Sequence, residues 1–299
     1  MAEPIVVVPE TNQDDTGFTT HPEFSDADAD VILVSKDNTQ FFLYSVVLRI
    51  TSGWFRVMFT LPQNPSEISA INKHRIQLDE SADVLAAILQ MVSGIGVPAI
   101  DTIEFAGTLL NAAEKYDMPG PPAIIRRIIT QPPFIDKPLR VYALTVHWGW
   151  KEEMQTAISH CLSIDLCDPD VLAQLEGTNL SAVAFAPLVS LQRSRHILLQ
   201  KKFNNSTDFV ANSNPVCRVC SAANSHEAWN AFKSAYLSCT KPPLTESSLT
   251  IREIARPGVL DVLVATCTSC GSLLYNPAAT IDLIVSIISE LPKTFETQK

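Results

Sequence analysis

DADVILVSKDNTQFFLYSVVLRITSGWFRVMFTLP, residues 28–62, is the stretch on which the reading of this chain turns. Val31 to Val34 is a short apolar run rich in β-branched residues. Lys36, Asp37, Asn38 and Thr39 interrupt it with turn chemistry, and Gln40 to Tyr44 return as a second, aromatic run. Two such runs across a polar turn read as a β-hairpin. Ser45 then stands where it can cap a short helix carrying Val46, Val47, Leu48 and Ile50. Ser52 can cap a second one carrying Phe55, Met58 and Phe59.

The flanks extend this pattern. Residues 1–23 are polar and acidic, with Glu10, Asp14 and Asp15, and read as a flexible tail. His74 to Leu78 is a short alternating strand. Ser81 to Met91 reads helical, because Val84, Leu85, Ile88, Leu89 and Val92 keep the three-four spacing of a buried stripe. Thr102 to Tyr116 is a second helix, with Ile103, Ala106, Leu109, Leu110 and Ala113 on its apolar side. Pro119, Pro121 and Pro122 interrupt the helical pattern, which Ile124, Ile125, Ile128 and Ile129 resume.

Strand, strand, two small helices, strand and further helices is the element order of the BTB/POZ family. Asp30-Val31, Phe41, Val47-Leu48, Ser52, Phe55 and Met58-Phe59, together with LLNAAEKYDMPG at 109–120, resemble that family over residues 24–130. The resemblance is to a divergent, fungal-type member. Tyr44-Ser45 stands where the family commonly has a His-Lys pair, and Met91-Val92-Ser93-Gly94 where it commonly has a Tyr-Thr-Gly-like ending. Partner contacts that depend on those side chains, cullin binding included, are weakened by these departures.

The resemblance implies an α+β fold, a small mixed sheet flanked by helices. It also implies a non-enzymatic protein-interaction role, through homodimer formation or hetero-association. Val46, Ile50, Trp54 and Phe55 are the candidate contacts, although a domain of this size also needs most such residues for its own core. The apolar text at Ile5 to Val8 is a candidate pairing strand. An adaptor for a cullin ubiquitin ligase, docking through Trp54 to Phe59, is an alternative role. A transcription-associated factor is another.

Composition narrows the classes. At 299 residues and 46% hydrophobic, the chain has material for two or three packed domains. No apolar run approaches the roughly 20 residues of a membrane span. The start, MAEPIVVVPETNQDD, lacks a basic n-region, so the expectation is an intracellular protein, cytoplasmic or nuclear. A formal net charge of −10 argues against general affinity for nucleic acid. Arg193, Arg195, Lys201 and Lys202 read as the solvated face near a helix end.

Gln131-Pro132-Pro133 is a natural boundary, since consecutive prolines cannot continue a helix. Residues 134–203 then read as a helical extension. Its four helices run from Asp136 to Trp150, Met154 to Leu162, Asp168-Pro169 to Gly177, and Ser181 to Lys202. Residues 204–215 are a polar linker, and 216–292 form a small Cys-rich module. Within it Ala228 to Leu237 and Thr280 to Leu291 read as helices, and Ser248 to Ile254 and Val259 to Ala265 as short strands.

Cys217-Arg-Val-Cys220 and Cys267-Thr-Ser-Cys270 are two C-x-x-C pairs with 46 residues between them. Two-residue spacing turns both sulfurs of a pair toward one cation, and Gly271 helps the second turn close. Four thiolates make the tetrahedral set that zinc accepts with no position open for water, which is a structural site. Cys217, Cys220, Cys267 and Cys270 are therefore the candidate zinc ligands. Buried free cysteines and a redox dithiol are the other readings; a dithiol prefers a single pair at a helix start after a strand.

Cys239 could be a spare ligand or a buried thiol, and His226 could enter a mixed Cys–His set. Cys161 and Cys167 with His160 and Asp165 could be drawn as a nucleophile cluster. No glycine-rich elbow accompanies them, so core packing is preferred. His147 beside Trp148 and Trp150 reads as aromatic packing. No catalytic residue is assigned.

Overall fold

The structure, a computed structural model, describes residues 17–61, 74–173, 175–178, 180–205, 216–225, 227–239 and 264–295. The chain divides into two compact units after Phe134.

In the first unit, β1 (Thr19–Thr20), β2 (Val31–Val34), β3 (Thr39–Leu43) and β4 (His74–Gln77) form one sheet in the order β1-β3-β2-β4. β2 and β3 are the hairpin, antiparallel, with Ile32 opposite Phe42 and Leu33 opposite Phe41. β4 joins the other side of β2 in parallel, and β1 runs parallel to β3. β2 is buried along its whole length, which explains its unbroken apolar text. The tail reading of residues 1–23 fails at its end, since Thr19-Thr20 pairs with Thr39-Gln40.

Two aspartates reach helix starts, and one of them displaces the cap that the sequence assigns to Ser45. α1 (Ser45–Thr51) has Ser45 as its first residue rather than its cap. The Asp30 carboxylate accepts both the Ser45 N–H at 2.7 Å and its hydroxyl at 2.6 Å. Ser81 precedes α3 (Ala82–Ser93) without capping it. Asp37, in the hairpin turn, accepts the Ala82 N–H at 3.0 Å and the Ser35 hydroxyl. Partial burial pushes the Asp37 carboxyl up, and these hydrogen bonds more than offset it, so the group is held below its ordinary value.

Ser52 caps α2 (Gly53–Met58) as expected, accepting the Phe55 N–H at 3.1 Å. Its hydroxyl also donates to the Tyr116 carbonyl at 2.5 Å, and the Gly53 N–H donates to the Asp117 carbonyl at 2.9 Å. These acceptors lie in the Lys115-Tyr116-Asp117-Met118 turn after α4 (Ile103–Lys115). The approach is close enough that a Cβ on residue 53 would fall 1.7 Å from Asp117 Oδ2. The turn is tied in on its other side: Tyr116 donates to Glu80, and Lys115 pairs with Asp79 and Glu80 at 3.1 and 2.9 Å. α5 (Gly120–Ile128) has proline in its first turn, so Pro121 and Pro122 open a helix rather than interrupt one.

The second unit contains α6 (Pro138–His147), α7 (Lys151–Cys161), α8 (Pro169–Ala173), α9 (Ala182–Asn204), α10 (Glu227–Cys239) and α11 (Pro277–Glu290). α9 is its spine. Tyr142 donates to the Ala184 carbonyl at 2.7 Å, and buried Gln192 donates to the Ile164 carbonyl at 2.7 Å. Arg195 is no part of a solvated face. It is 4% exposed and donates to the Leu291 and Pro292 carbonyls at 3.1 and 2.6 Å, just past the end of α11. Leu199 and Phe203, at the end of α9, share one core with Trp229, Phe232 and Tyr236 of α10 and Ile284, Ile287 and Ile288 of α11. His226, the strand expected at 248–254 and residues 259–263 of the strand expected at 259–265 lie outside the described residues, and Val264 and Ala265 are not in a strand.

Ser52→Ala removes a cap and a buried hydrogen bond together. It is expected to lower stability by about 1–2 kcal/mol in urea unfolding of the full chain; an unchanged midpoint would remove this junction from the account. Because its native pKa is depressed, the stability Asp37 contributes is complete above about pH 4, its ordinary range. That contribution fades as pH falls through the lower native value. Asp37→Asn should therefore lower stability at pH 7 and lessen the loss between pH 7 and 3; parallel pH profiles for the two proteins would contradict this.

Candidate metal centre and interaction face

The two C-x-x-C pairs form the same backbone element twice. In the first, the Cys217 N–H donates to the Ala222 carbonyl at 2.8 Å and the Ser221 N–H to the Cys217 carbonyl at 2.9 Å. In the second, the Cys267 N–H donates to the Ser272 carbonyl at 2.8 Å and the Gly271 N–H to the Cys267 carbonyl at 2.9 Å. A bridge between Val216 and Ala223 closes one knuckle, and one between Thr266 and Leu273 closes the other. The residue after the second cysteine is left-handed in each, Ser221 at φ 57° and Gly271 at φ 71°. Every partner recurs at an offset of 50 residues.

The knuckles face each other. Cys217 Sγ lies 3.6 Å from Cys270 Sγ, Cys220 Sγ lies 3.6 Å from Cys267 Sγ, and all four sulfurs fall within 4.8 Å of one another. A tetrahedron with Zn–S bonds of about 2.3 Å has edges of about 3.8 Å. Among the described residues this is the one group of metal-ligating side chains close enough to hold an ion.

The surroundings favour thiolates unequally. Ser272 Oγ stands 3.3 Å from Cys217 Sγ and 2.9 Å from Cys270 Sγ, and the Val219 N–H donates to Cys217 Sγ at 3.4 Å. The hydrogen bond from Ser272, with those of backbone N–H groups, brings the Cys217 thiol down to about 6. Cys267 is lowered chiefly by the Ser269 and Cys270 N–H groups. The Ala222 N–H lowers Cys220 too, but its neighbours, Cys270 foremost, keep a proton on it and push it up to about 12. Four sulfurs this close share protons until a cation replaces them.

The remaining sequence candidates separate. Cys161 is buried, which pushes its thiol up to about 12 and away from the thiolate form, whereas Cys167 and His160 are exposed. His147, Trp148 and Trp150 pack as rings, with centroids 5.6 and 6.0 Å apart. Two polar neighbours of the sulfurs were not foreseen: Ser272 and Asn224, whose Nδ2 lies 3.8 Å from Cys267 Sγ. Superposing the two pairs in the sequence would have marked Ser272, because its counterpart is Ala222.

A second feature lies on the first unit. Ile50 is 75% exposed, Val57 61% and Val46 57%, beside exposed Trp54 and Leu61 on α1, α2 and the turn that follows. Phe55 departs from the sequence reading. It is wholly buried against Phe59 and Tyr116 and belongs to the core. Arg49 and Arg56 are exposed within the same apolar strip.

A hairpin-built mixed sheet carrying helices, with an apolar helical face turned outward, is the architecture of an interaction module. Residues 23–131 match the family model of the BTB/POZ domain, and the chain carries a domain of that family, whose role is protein–protein interaction. No curated protein matches the chain. Among the described residues no helix is long and apolar enough to cross a membrane.

The left-handed residues offer a test of the knuckles. Gly271→Val introduces a β-branched side chain at φ 71° and should weaken the C-terminal unit by about 1–2 kcal/mol. Ser221→Gly should be neutral or stabilising, because it relieves the same conformation. Unfolding followed by Trp229 fluorescence checks both, and equal effects of the two changes would count against the repeat.

Proposed function

We propose that this chain is a non-enzymatic interaction protein that self-associates through the α1–α2 face of its BTB/POZ domain. In this reading residues 134–203 are a helical extension, and a structural zinc on Cys217, Cys220, Cys267 and Cys270 staples the C-terminal module. The observation that carries the association is the apolar strip of Val46, Ile50, Trp54, Val57 and Leu61, side chains that a lone domain leaves in water. Self-association buries them against the same strip of a second copy. The sulfur tetrad supports zinc through its spacing and its all-thiolate chemistry. Zinc there has no open coordination position, so it adds stability and no Lewis-acid step.

Docking of a cullin on the same helices is a second reading, favoured by the part-exposed indole of Trp54 beside exposed Arg56 and Val57. Native mass measurement separates the possibilities. The full chain should appear as a dimer carrying one zinc per copy, and Ile50→Glu with Val57→Glu should give folded monomers whose melting temperature no longer depends on protein concentration, since both side chains are exposed in a single copy. A wild-type monomer that captures a cullin only when Trp54 is intact would favour the second reading. A chelator should remove the zinc and lower the melting temperature of the C-terminal unit; a metal-free native mass would defeat the zinc assignment.

A further inference from the structure

We propose that Ser272 is the positioning residue of the sulfur tetrad, a hydroxyl shared between the two knuckles that compensates charge on both. This rests on the zinc reading above. Ser272 Oγ lies 2.9 Å from Cys270 Sγ, in its own knuckle, and 3.3 Å from Cys217 Sγ, in the other. A metal-bound thiolate has no proton, so toward these sulfurs the hydroxyl is only a donor. It is the one side-chain hydroxyl recorded against any of the four sulfurs among the described residues.

The two knuckles otherwise treat their sulfurs alike. The Val219 N–H serves Cys217 at 3.4 Å, and the Ser269 N–H serves Cys267 at the same distance. The backbone therefore serves Cys217 and Cys267 alike, and the side chains around them differ. Residue 222 is Ala where residue 272 is Ser, and Asn224 reaches toward Cys267 where Leu274 is its counterpart. Each knuckle thus lends a polar side chain to a sulfur of the other: Ser272 to Cys217, Asn224 to Cys267. Ser272 makes the shorter contacts and touches two sulfurs, so it carries the larger share. Four thiolates around a divalent cation leave two negative charges, and a donor bridging the knuckles spreads them while holding the two turns in register.

The test uses the full chain loaded with Co²⁺, whose sulfur-to-metal charge-transfer band reports electron density on the ligands, and zinc competition against a chelator. Ser272→Ala should move the band to lower energy and weaken zinc at least about tenfold, the usual effect of losing such a partner. Ser272→Thr, which keeps the hydroxyl, should stay within about twofold of wild type on that scale. A normal band and affinity in Ser272→Ala overturns the inference and leaves the zinc site standing. Loss in Ser272→Thr equal to that in Ser272→Ala also overturns it, since space rather than the hydroxyl would then be at issue. A wild-type chain with no cobalt band overturns the zinc reading and this inference together.

Discussion

Four sulfurs brought within 4.8 Å is the constraint around which the second unit is organised. Two thiolates 3.6 Å apart repel by about 4–5 kcal/mol at an effective dielectric near 20. Burying a large apolar side chain returns about 1.5–3 kcal/mol. The core formed by the helices that follow the knuckles and by α9 includes Leu199 and Phe203 from α9, Trp229 and Phe232 from α10, and Ile284 and Ile288 from α11. Its apolar contribution is comparable with the repulsion of an ionised tetrad, so the charge has to be neutralised locally. Protons do it by sharing, and a divalent cation does it without leaving any sulfur protonated.

In the first unit the equivalent constraint is the seat of Ser52 and Gly53 on the Tyr116–Asp117 turn. Ser52 spends one oxygen twice, as acceptor for Phe55 and as donor to Tyr116. Gly53 is there because the space above it is filled by Asp117. With that junction fixed, α2 has no freedom to roll: Phe55 must point into the rings of Phe59 and Tyr116, and Trp54 and Val57 must point away. The outward apolar face follows from the seating.

Much of this was legible in the residues. The hairpin, the helical stripes, the Ser52 cap and the four cysteines all follow local rules of period, turn chemistry and spacing. What escaped depends on partners distant in sequence. Asp30 displaces the Ser45 cap, and Asp37 reaches the start of α3, because a carboxylate offers two acceptors and the folded hairpin delivers it to the helix start. Arg195 looks like one more surface cation until the end of α11 arrives 96 residues later. Phe55 and Ile50 have similar sequence surroundings, and only the tertiary seat of α2 decides which is core.

The repeated knuckle also bears on how such centres are to be recognised. Each half is closed by its own turn, and each is followed by a helix beginning ten residues after its first cysteine, Glu227 after Cys217 and Pro277 after Cys267. All four cysteines lie within the two half-motifs, and none comes from the 46 residues between the pairs. The number of residues between the pairs is therefore no part of what sets the geometry within each half-motif. A pattern search that fixes the distance between the pairs will overlook related chains. One that demands two copies of the half-motif, each with a left-handed-tolerant residue after its second cysteine and a helix at the set interval, will find them.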